Sequence, residues 1–240
     1  MIQDRIEIMK QWIYDSDRIV FFGGAGVSTE SGIPDFRSAD RLYYMKYTYP
    51  PETILSHGFF MTHTKEFFDF YRDKMINQKA EPNITHHTLR ELEKTGKLLG
   101  IITQNIDGLH QKAGSKVVIE LHGSTYRNHC VKCKSYYDLN YIIESSGVPH
   151  CSCGGIIKPD VILYDEALNE KDTVEAAMLI KSTDVLIIGG TSLSVYPAAG
   201  MVNYYCGDKM IIINKDITPY DKRANLLINA PLGEVFSQIV

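Results

Sequence analysis

The stretch 20–37 carries the residue types of a phosphate-binding loop. An apolar run, Ile19–Phe22, predicts a buried strand, and the glycine-rich segment Gly23–Gly26 follows it directly. Because glycine has no side chain, the backbone here can turn sharply and approach a pyrophosphate closely. We expect a helix N-terminus to face that anion. Thr29 stands where the dehydrogenase fingerprint has its third glycine, which argues against an ordinary hydride-transfer site.

Polar side chains follow two further apolar runs. The segment Thr103–Asp107 contains two amides and a carboxylate, which could hold a carboxamide and ribose hydroxyls at a strand's carboxyl end. The alternative is that Asn105 and Asp107 only cap the helix that follows. His122 comes next along the chain, where a histidine can act as a general base at neutral pH or be purely structural.

Four cysteines form two close pairs, C-x-x-C at 130–133 and C-x-C at 151–153. Such pairs are typical of tetrahedral zinc, although disulfides, free thiols or substitution by His129 or His150 are alternatives. A reducing compartment disfavours disulfides, and a site filled by four thiolates is structural because no coordination position stays open. Cys206 is expected to be a buried apolar residue. The predicted zinc ligands are Cys130, Cys133, Cys151 and Cys153.

Composition excludes several classes of function. The 240 residues are 44% hydrophobic, which is enough for one full-sized core with a smaller appended module. The formal net charge is −4 and the basic residues are scattered, so we expect no nucleic-acid partner. Charges occur within the first seven residues, and no apolar run approaches the ~18 residues of a membrane span. We therefore expect a cytosolic protein without a membrane partner.

Apolar runs separated by helical patterns position these residues. Ile2, Ile6, Met9 and Ile13 recur at helical spacing and predict a first helix that ends near Asp15. The later runs predict strands buried on both faces, and hence an α/β fold with a Rossmann-like, doubly wound parallel sheet. These runs are 19–22, 99–102, 117–119, 161–163, 185–188, 210–213 and 226–228.

Two segments interrupt this pattern. The first is an aromatic-rich helical stretch and the second bears the cysteine pairs. We expect them to form a smaller inserted domain over the carboxyl ends of the strands, where ligands of such sheets bind. The predicted core comprises 1–38, 80–124 and 160–240, and the predicted small domain comprises the helical module 39–79 and the zinc module 125–159.

Taken together, the motifs resemble those of the sirtuins, the NAD-dependent protein lysine deacylases, and in particular their short bacterial members. They occur in family order from about residue 20 to residue 230, which covers nearly the whole chain. The matching segments are Gly24–Ser28, Gly32–Arg37, Thr103–Asp107, Leu121–Gly123, Pro159–Val161 with Tyr164, Gly190–Leu193, Pro197–Ala199 and Ile213–Asn214.

The resemblance implies an extended NAD site. Phe36 is implied to shield the sugar after nicotinamide leaves, and Arg37 to assist closure of the loop. By the same resemblance, NAD is held by Ala25, Gly26 and Ser28 at the phosphates with Thr29 beside them, Thr191 and Ser192 at the adenine-side ribose, Asn214, Lys215 and Asp216 at the adenine end, and Gln104, Asn105, Ile106 and Asp107 at the nicotinamide and its ribose.

The implied reaction converts acetyl-lysine and NAD to lysine, nicotinamide and 2′-O-acetyl-ADP-ribose. Twisting of the nicotinamide ring favours cleavage of its glycosidic bond, and the acetyl oxygen then attacks C1′. His122 is implied to accept a proton from a ribose hydroxyl, and Asn105 is its catalytic companion. Transfer of ADP-ribose to a protein side chain is one alternative, which His122 argues against because simple transfer does not need that base. Non-catalytic sensing of NAD is another, which Asn105, Asp107 and His122 argue against because a pure binder has no use for all three.

Acetylated protein substrates are implied to bind by strand addition, with little sequence preference. The implied contacts are Val161, which touches the acyl-lysine amide, and Tyr164 and Val195 on the two flanking segments. Asp165 stands where the family has glycine, a change expected to alter the bend of the loop or its preference for charged flanking residues. The sequence leaves the oligomeric state open.

The aromatic helical stretch bears on the choice of acyl group. Relatives that remove succinyl or malonyl groups carry a Tyr and an Arg three residues later. Here Tyr71 is followed at that spacing by Lys74, which lacks the bidentate fork of arginine, and Arg72 is preceded by Asp69. Deacetylation is therefore expected to dominate, with another acyl group as the alternative, and Tyr71 is expected to serve in helix packing.

Overall fold

A computed structural model of the chain describes residues 1–35 and 46–239. In this part of the chain, six strands form a parallel sheet in the order β3-β2-β1-β7-β8-β9, and three form an antiparallel sheet in the order β5-β4-β6. The strands are β1 Ile19–Gly23, β2 Leu98–Thr103, β3 Val118–Glu120, β4 Gly123–Cys130, β5 Tyr136–Tyr137, β6 Ile157–Val161, β7 Val185–Gly189, β8 Lys209–Ile213 and β9 Leu226–Ile228.

The parallel sheet is covered on both faces, as the apolar runs predict. Along β1, Ile19 and Phe21 face one core cluster, whereas Val20 and Phe22 face the other. The first cluster includes side chains of the helices Ile2–Tyr14, Ile84–Lys94 and Leu232–Phe236. The second includes side chains of Glu170–Ser182 and of the 3₁₀ helix Ala198–Tyr204. Helices on both faces of a parallel sheet make the fold doubly wound, which confirms the predicted class.

Helices and turns connect these strands. The first helix ends where the sequence predicts, with Asp15 as its C-terminal cap, and buries Ile6, Met9 and Ile13. The further α-helices are Pro51–Ile54, His57–Thr62, Thr64–Phe70, Leu109–Lys112 and Leu139–Glu144, a π-helical turn spans Tyr71–Met75, and the short 3₁₀ helices are Ala25–Val27, Thr29–Ser31 and Asp221–Arg223.

The predicted strand at 161–163 is wrong. The strand that is present, β6, ends at Val161 and pairs antiparallel with β4 in the small sheet. Its burial alternates along the chain, so it is not a strand buried on both faces. The run 161–163 stays apolar because Leu163 continues into the core that the small sheet shares with the aromatic helices, through Phe60, Phe67 and Ile157.

The expected helix N-terminus after the glycine loop is also absent between Gly24 and Asp35, a stretch that the structure describes throughout. Two single-turn 3₁₀ helices occupy this position, closed by bonds from the Val27 amide to the Gly24 carbonyl and from the Ser31 amide to the Ser28 carbonyl. The side-chain amide of Asn83 donates to the Val27 carbonyl at 2.8 Å, which stabilises this geometry from another element. Among the described residues, no helix is both long and apolar enough to cross a membrane.

Candidate functional site

The carboxyl ends of four parallel strands bring most of the predicted site segments to one edge of the sheet. Gly23, the last residue of β1, pairs with Thr103 on one side and Gly189 on the other. Gly189 in turn pairs with Ile213, the last residue of β8. The chain order reverses around β1, and such a switch point leaves a crevice where ligands of these sheets bind. The segments that begin at this edge are 24–29, 104–107, 191–192 and 214–216.

The glycine loop packs directly on the end of β7. The Gly26 amide donates to the Gly190 carbonyl at 2.8 Å, and the Gly24 amide donates to the Gly189 carbonyl at 3.3 Å. A Cβ on Gly26 would lie 2.8 Å from both the Cα and the carbonyl oxygen of Gly190. Only glycine therefore fits at position 26, because any side chain would push the loop off the strand.

A chain of hydrogen bonds joins this loop to the segment after β2. The Asn105 side-chain amide donates to Ser28 Oγ at 3.0 Å, and Ser28 Oγ donates to Asp107 Oδ2 at 2.6 Å. The other oxygen of Asp107 accepts from the Leu109 amide at 2.9 Å, as a helix cap does. Asp107 thus both caps the helix and contacts the glycine loop. Burial raises the pKa of its carboxyl, and the bonds from Ser28 and Leu109 oppose that rise.

His122 is held in one tautomer beside this segment. Its Nδ1 lies 3.0 Å from the Gln104 carbonyl oxygen. Because a carbonyl can only accept, Nδ1 carries the proton and Nε2 keeps its lone pair. Burial lowers the pKa of His122, and the bond to Gln104 opposes that effect. A neutral imidazole with a free Nε2 is the form that can accept a proton.

The adenine-side residues follow β7 and β8. The Gln104 side-chain amide donates to Thr191 Oγ1 at 2.9 Å, which connects the segments after β2 and β7. Ser192 Oγ lies 2.7 Å from Ser194 Oγ. The Asn214 side-chain amide donates to the backbone carbonyl of Asp216 at 2.9 Å, which folds that loop on itself. The side chains of Lys215 and Asp216 are exposed.

Of three further residues predicted to contact the cofactor, the structure describes Thr29 alone. Thr29 Oγ1 donates to the Gly26 carbonyl at 3.0 Å, so its hydroxyl is used within the loop. Phe36 and Arg37 lie outside the described residues.

The predicted peptide-binding residues lie where β6 ends and after β7. Val161 is buried, whereas Tyr164 and Val195 are exposed. Two hydrogen bonds fix the backbone of Tyr164. Its amide donates to the Leu55 carbonyl, and its carbonyl accepts from the His57 amide; both distances are 2.9 Å. Asp165 follows with φ of +71°, so the loop keeps the left-handed bend that glycine favours.

The four predicted zinc ligands converge in the small sheet. Their sulfur atoms all lie within 4.8 Å of one another, and two of the sulfur pairs, Cys130 with Cys153 and Cys133 with Cys151, are 3.5 Å apart. Four thiolates about 2.3 Å from a zinc ion have similar spacing, so the site fits the metal. A Cβ on Gly155 would lie 2.6 Å from Cys130 Sγ, so the chain here approaches the sulfurs as only glycine can.

The histidines beside the cysteines do not join this cluster. His129 Nδ1 instead lies 3.3 Å from Asp160 Oδ1, and His150 is exposed. The four-cysteine set is therefore the one that the described residues support. The prediction that Cys206 is buried is wrong: it is exposed in the turn between the 3₁₀ helix Ala198–Tyr204 and β8, where no core element covers it.

Helix packing explains the aromatic stretch, as expected. Tyr71 is fully buried and stacks on Phe67 with ring centroids 5.5 Å apart. The Arg72 guanidinium donates to the Ile142 carbonyl at 2.9 Å, and Lys74 contacts Asp73 at 3.2 Å. Neither of these cations is paired with the Tyr71 hydroxyl among the contacts seen in the described residues.

Two supporting residues were missed from the sequence. Asn83 donates to Val27 and to Ser31 Oγ, at 2.8 and 3.0 Å, while its own Oδ1 caps the helix Ile84–Lys94. An asparagine directly before a helical pattern is a recognisable cap signal, but nothing in its spacing points to partners 52 and 56 residues earlier. Glu166 holds the loop after β6 and had no sequence signal, since it joins Lys158 and Leu163 nearby in the chain to His57, which lies 109 residues earlier.

In sequence, the chain is similar to known proteins over most of its length. The family model described as "Sir2 family" matches residues 24–197. The NAD-dependent protein deacetylase of Clostridium tetani (strain Massachusetts / E88) is 56% identical over 236 residues, covering 97% of this chain and 96% of that protein. The NAD-dependent protein deacetylase of Clostridium acetobutylicum is 52% identical and covers 100% of both chains.

Solved structures of Sir2 proteins have the same fold as this chain. A Sir2 structure with p53 peptide and NAD+ superposes with a TM-score of 0.87 at 36% identity, covering 98% of this chain and 96% of that one. A structure of Sir2 bound to acetylated peptide gives the same TM-score and identity, again covering 98% and 96%. At this identity and coverage, the likeness extends over both sheets.

Proposed function

This chain belongs to the Sir2 family, and on that premise we propose that it removes acetyl groups from protein lysines at the expense of NAD, with His122 as the general base. The observation that carries this proposal is the state of His122. Its Nδ1 proton is committed to the Gln104 carbonyl at 3.0 Å, and its lowered pKa keeps Nε2 unprotonated at neutral pH.

The residues at the edge of the sheet have the chemistry needed to hold NAD. The close contact between Gly26 and Gly190 leaves a narrow, side-chain-free approach for phosphates. Ser28, Asn105 and Asp107 form one hydrogen-bonded set that can orient an amide and ribose hydroxyls. When bound, NAD supplies a carbon that becomes electrophilic as nicotinamide leaves.

The work of the protein is then orientation and proton transfer. Asn105 and Asp107 hold the nicotinamide end, and Ser28 fixes both side chains relative to the glycine loop. His122 Nε2 accepts the proton of a ribose hydroxyl, and the Gln104 carbonyl stabilises the imidazolium that forms, because Nδ1–H already points at it. The products that we propose are lysine, nicotinamide and 2′-O-acetyl-ADP-ribose.

The protein substrate is proposed to bind by adding a strand to β6. Within the part of the chain that the structure describes, this strand pairs only with β4 and so lies at the edge of the small sheet. Edge strands offer unpaired backbone groups. Val161 at its end packs in the same core cluster as Ile106, which lies beside the nicotinamide segment. An acyl-lysine that enters beside Val161 would therefore reach the NAD site.

Deacetylation, rather than removal of an acidic acyl group, is the activity that we propose. Tyr71, the tyrosine at the position where an acyl carboxylate would be bound, is fully buried in an aromatic cluster. Lys74 contacts Asp73, and Arg72 is bound to the Ile142 carbonyl. Neither cation is arranged as an acyl-carboxylate clamp with Tyr71.

Nicotinamide release tests this proposal. The protein is incubated with NAD and one peptide in two forms, acetylated or unmodified at its lysine. Nicotinamide release that requires the acetyl group supports deacetylation. Equal release with both forms, accompanied by attachment of ADP-ribose to a protein, would instead support ADP-ribosyl transfer.

We also propose the two-part organisation that the sequence predicts, a core and a small domain made of segments 39–79 and 125–159. Residues 36–45 of the predicted segments lie outside the described residues.

A further inference from the structure

We propose that Asp165 makes this enzyme select acetylated lysines that have lysine or arginine beside them in the substrate. The inference rests on the proposed function, because it concerns the loop that follows β6 in the proposed peptide site. It adds a substrate class, basic acetylated segments, to a binding mode that otherwise reads only the peptide backbone.

The loop is anchored on both sides of Asp165. On one side, Tyr164 makes two backbone bonds, to the Leu55 carbonyl and from the His57 amide. On the other side, the Glu166 carboxylate accepts from the Leu163 amide at 2.9 Å and from Lys158 Nζ at 3.0 Å. Because its neighbours are fixed, the position of Asp165 is set by the fold.

The Glu166 carboxylate also contacts two neighbouring basic side chains. Its second oxygen lies 2.8 Å from His57 Nδ1, while Lys158 is held by its first. Burial alone would raise the pKa of the Glu166 carboxyl, but the bonds from His57, the Leu163 amide and Lys158 together keep it below its usual value. Among the described residues, the charge of Lys158 is therefore neutralised within the loop.

Asp165 itself has a backbone conformation that glycine would adopt more easily. Its φ is +71°, in the left-handed region, where an aspartate is tolerated at some energetic cost. Strained residues of this kind cluster at functional sites. The aspartate adds nothing to the folded chain that offsets this cost: its side chain is exposed and makes no ion pair or hydrogen bond with any described residue.

A second acidic residue strengthens the local field. Glu52 is exposed on the helix Pro51–Ile54, which leads into Leu55, and the Leu55 carbonyl accepts from the Tyr164 amide. Burial raises the pKa of the Tyr164 hydroxyl, and the nearby charge of Glu52 adds to that rise. An incoming peptide would thus meet Asp165 and Glu52 unneutralised. Two exposed carboxylates beside a bound peptide favour a basic side chain over an acidic one by on the order of tenfold at low salt.

The test compares three acetyl-lysine peptides that differ only in the residues flanking the modified lysine, which are lysines, alanines or glutamates. Binding of each peptide is measured by fluorescence polarisation, and deacetylation by mass spectrometry. In the unaltered protein, we expect the lysine-flanked peptide to bind about tenfold more tightly than the glutamate-flanked one at low salt, with the ratio falling as salt increases.

Asp165→Asn is the decisive variant because asparagine keeps the tolerance for positive φ and removes only the charge. It should reduce the ratio between the affinities for the lysine-flanked and glutamate-flanked peptides severalfold. Asp17→Asn is the matched control: it removes an exposed carboxylate at the amino end of β1, away from the site, and should keep the ratio.

The outcomes separate this inference from the proposed function. Equal affinities for basic and acidic peptides, or a ratio that Asp165→Asn does not change, overturns the inference even if every peptide is deacetylated. Charge-selective binding that depends on Asp165 supports it even if no peptide is deacetylated, a result that would contradict the proposed function alone. Absence of binding by all three peptides overturns both.

Discussion

The hydroxyl of Ser28 donates to the carboxylate of Asp107 across 2.6 Å, although 79 residues separate them in the chain. Ser28 also accepts from Asn105, so one side chain of the glycine loop holds both polar residues of the segment after β2. This relationship gives the loop a role besides binding phosphates: it fixes the geometry of the proposed nicotinamide site.

Ser28→Ala should therefore impair the use of NAD more than the stability of the fold. The substitution leaves the buried Asp107 carboxylate without its hydroxyl donor, and such a bond to a charged group contributes about 1.5–3 kcal/mol. We expect kcat/KM for NAD to fall by roughly 10- to 100-fold. Ser237→Ala, which removes a hydroxyl that donates to the Glu234 carbonyl near the C-terminus, is the control and should have little effect. Unchanged NAD kinetics in Ser28→Ala would contradict the account.

The pH profile of kcat/KM should report the state of His122. Burial lowers the pKa of this imidazole, so the neutral form persists below the ordinary value of about 6.5. As pH falls through the folded-state pKa, Nε2 gains a proton and the base is lost. The acidic limb of the profile should thus lie below pH 6.5. An acidic limb above that value would mean that His122 is not the group being titrated.

The buried pair His86 and His110 should make the fold sensitive to acid. Their rings lie 4.7 Å apart, burial lowers the pKa of His86 to about 4, and burial lowers that of His110 well below 6.5. In the unfolded chain both titrate near 6.5. Their contribution to the free energy of unfolding is therefore fully present above that pH and is lost as pH falls toward 4. His86 alone should account for on the order of 3 kcal/mol of unfolding free energy.

Urea unfolding at pH 7 and pH 4.5 measures this loss. His110→Phe should make the loss smaller, because phenylalanine cannot be protonated and the ring nitrogens of His110 have no hydrogen-bond partner in the described part of the chain. His87→Gln removes an exposed histidine of the helix Ile84–Lys94, which also carries His86. This variant should unfold with nearly the pH dependence of the unaltered protein. An identical pH dependence in His110→Phe would show that the buried pair is not responsible.

Gly155→Ala should weaken the zinc site. Its Cβ would lie 2.6 Å from Cys130 Sγ, which forces either the sulfur or the backbone to move. We expect less bound zinc by elemental analysis and faster loss to a chelator. A metal bound by these four cysteines would hold the small sheet together, so deacetylation should fall with zinc content, as it should when zinc is stripped from the unaltered protein.

Gly58→Ala is the matched control, because nothing lies within 4 Å of the Cβ that it would add. It should keep its zinc and its activity. Full zinc content in Gly155→Ala, or full activity after verified removal of zinc, would show that this site does not support the reaction.

How far the sequence predicts the fold depends on the kind of pairing. Runs such as Val185–Ile188 identify strands well, since a parallel strand covered on both faces has no polar side. The run 161–163 misleads because an apolar stretch can continue past the end of an antiparallel strand into another core. Cys206 misleads because a small apolar residue in a turn has no periodic pattern around it.

The site is predictable in its residue types and less so in its supports. Segments after β1, β2 and β7 meet because parallel strands end at one edge, which the sequence pattern already implies. The bonds of Asn83 with Val27 and of Glu166 with His57 are long-range side-chain contacts, and neither spacing nor composition encodes the partner. The same long-range bond from Asn83 accompanies the 3₁₀ turns found where a helix N-terminus was expected.

Mass spectrometry of an acetyl-lysine peptide tests the central claim most directly. The peptide is incubated with the unaltered protein or with His122→Ala, each with and without NAD. The account predicts loss of the acetyl group and formation of acetyl-ADP-ribose only with NAD and only in the unaltered protein. Full NAD-dependent deacetylation by His122→Ala, or deacetylation without NAD, would contradict it.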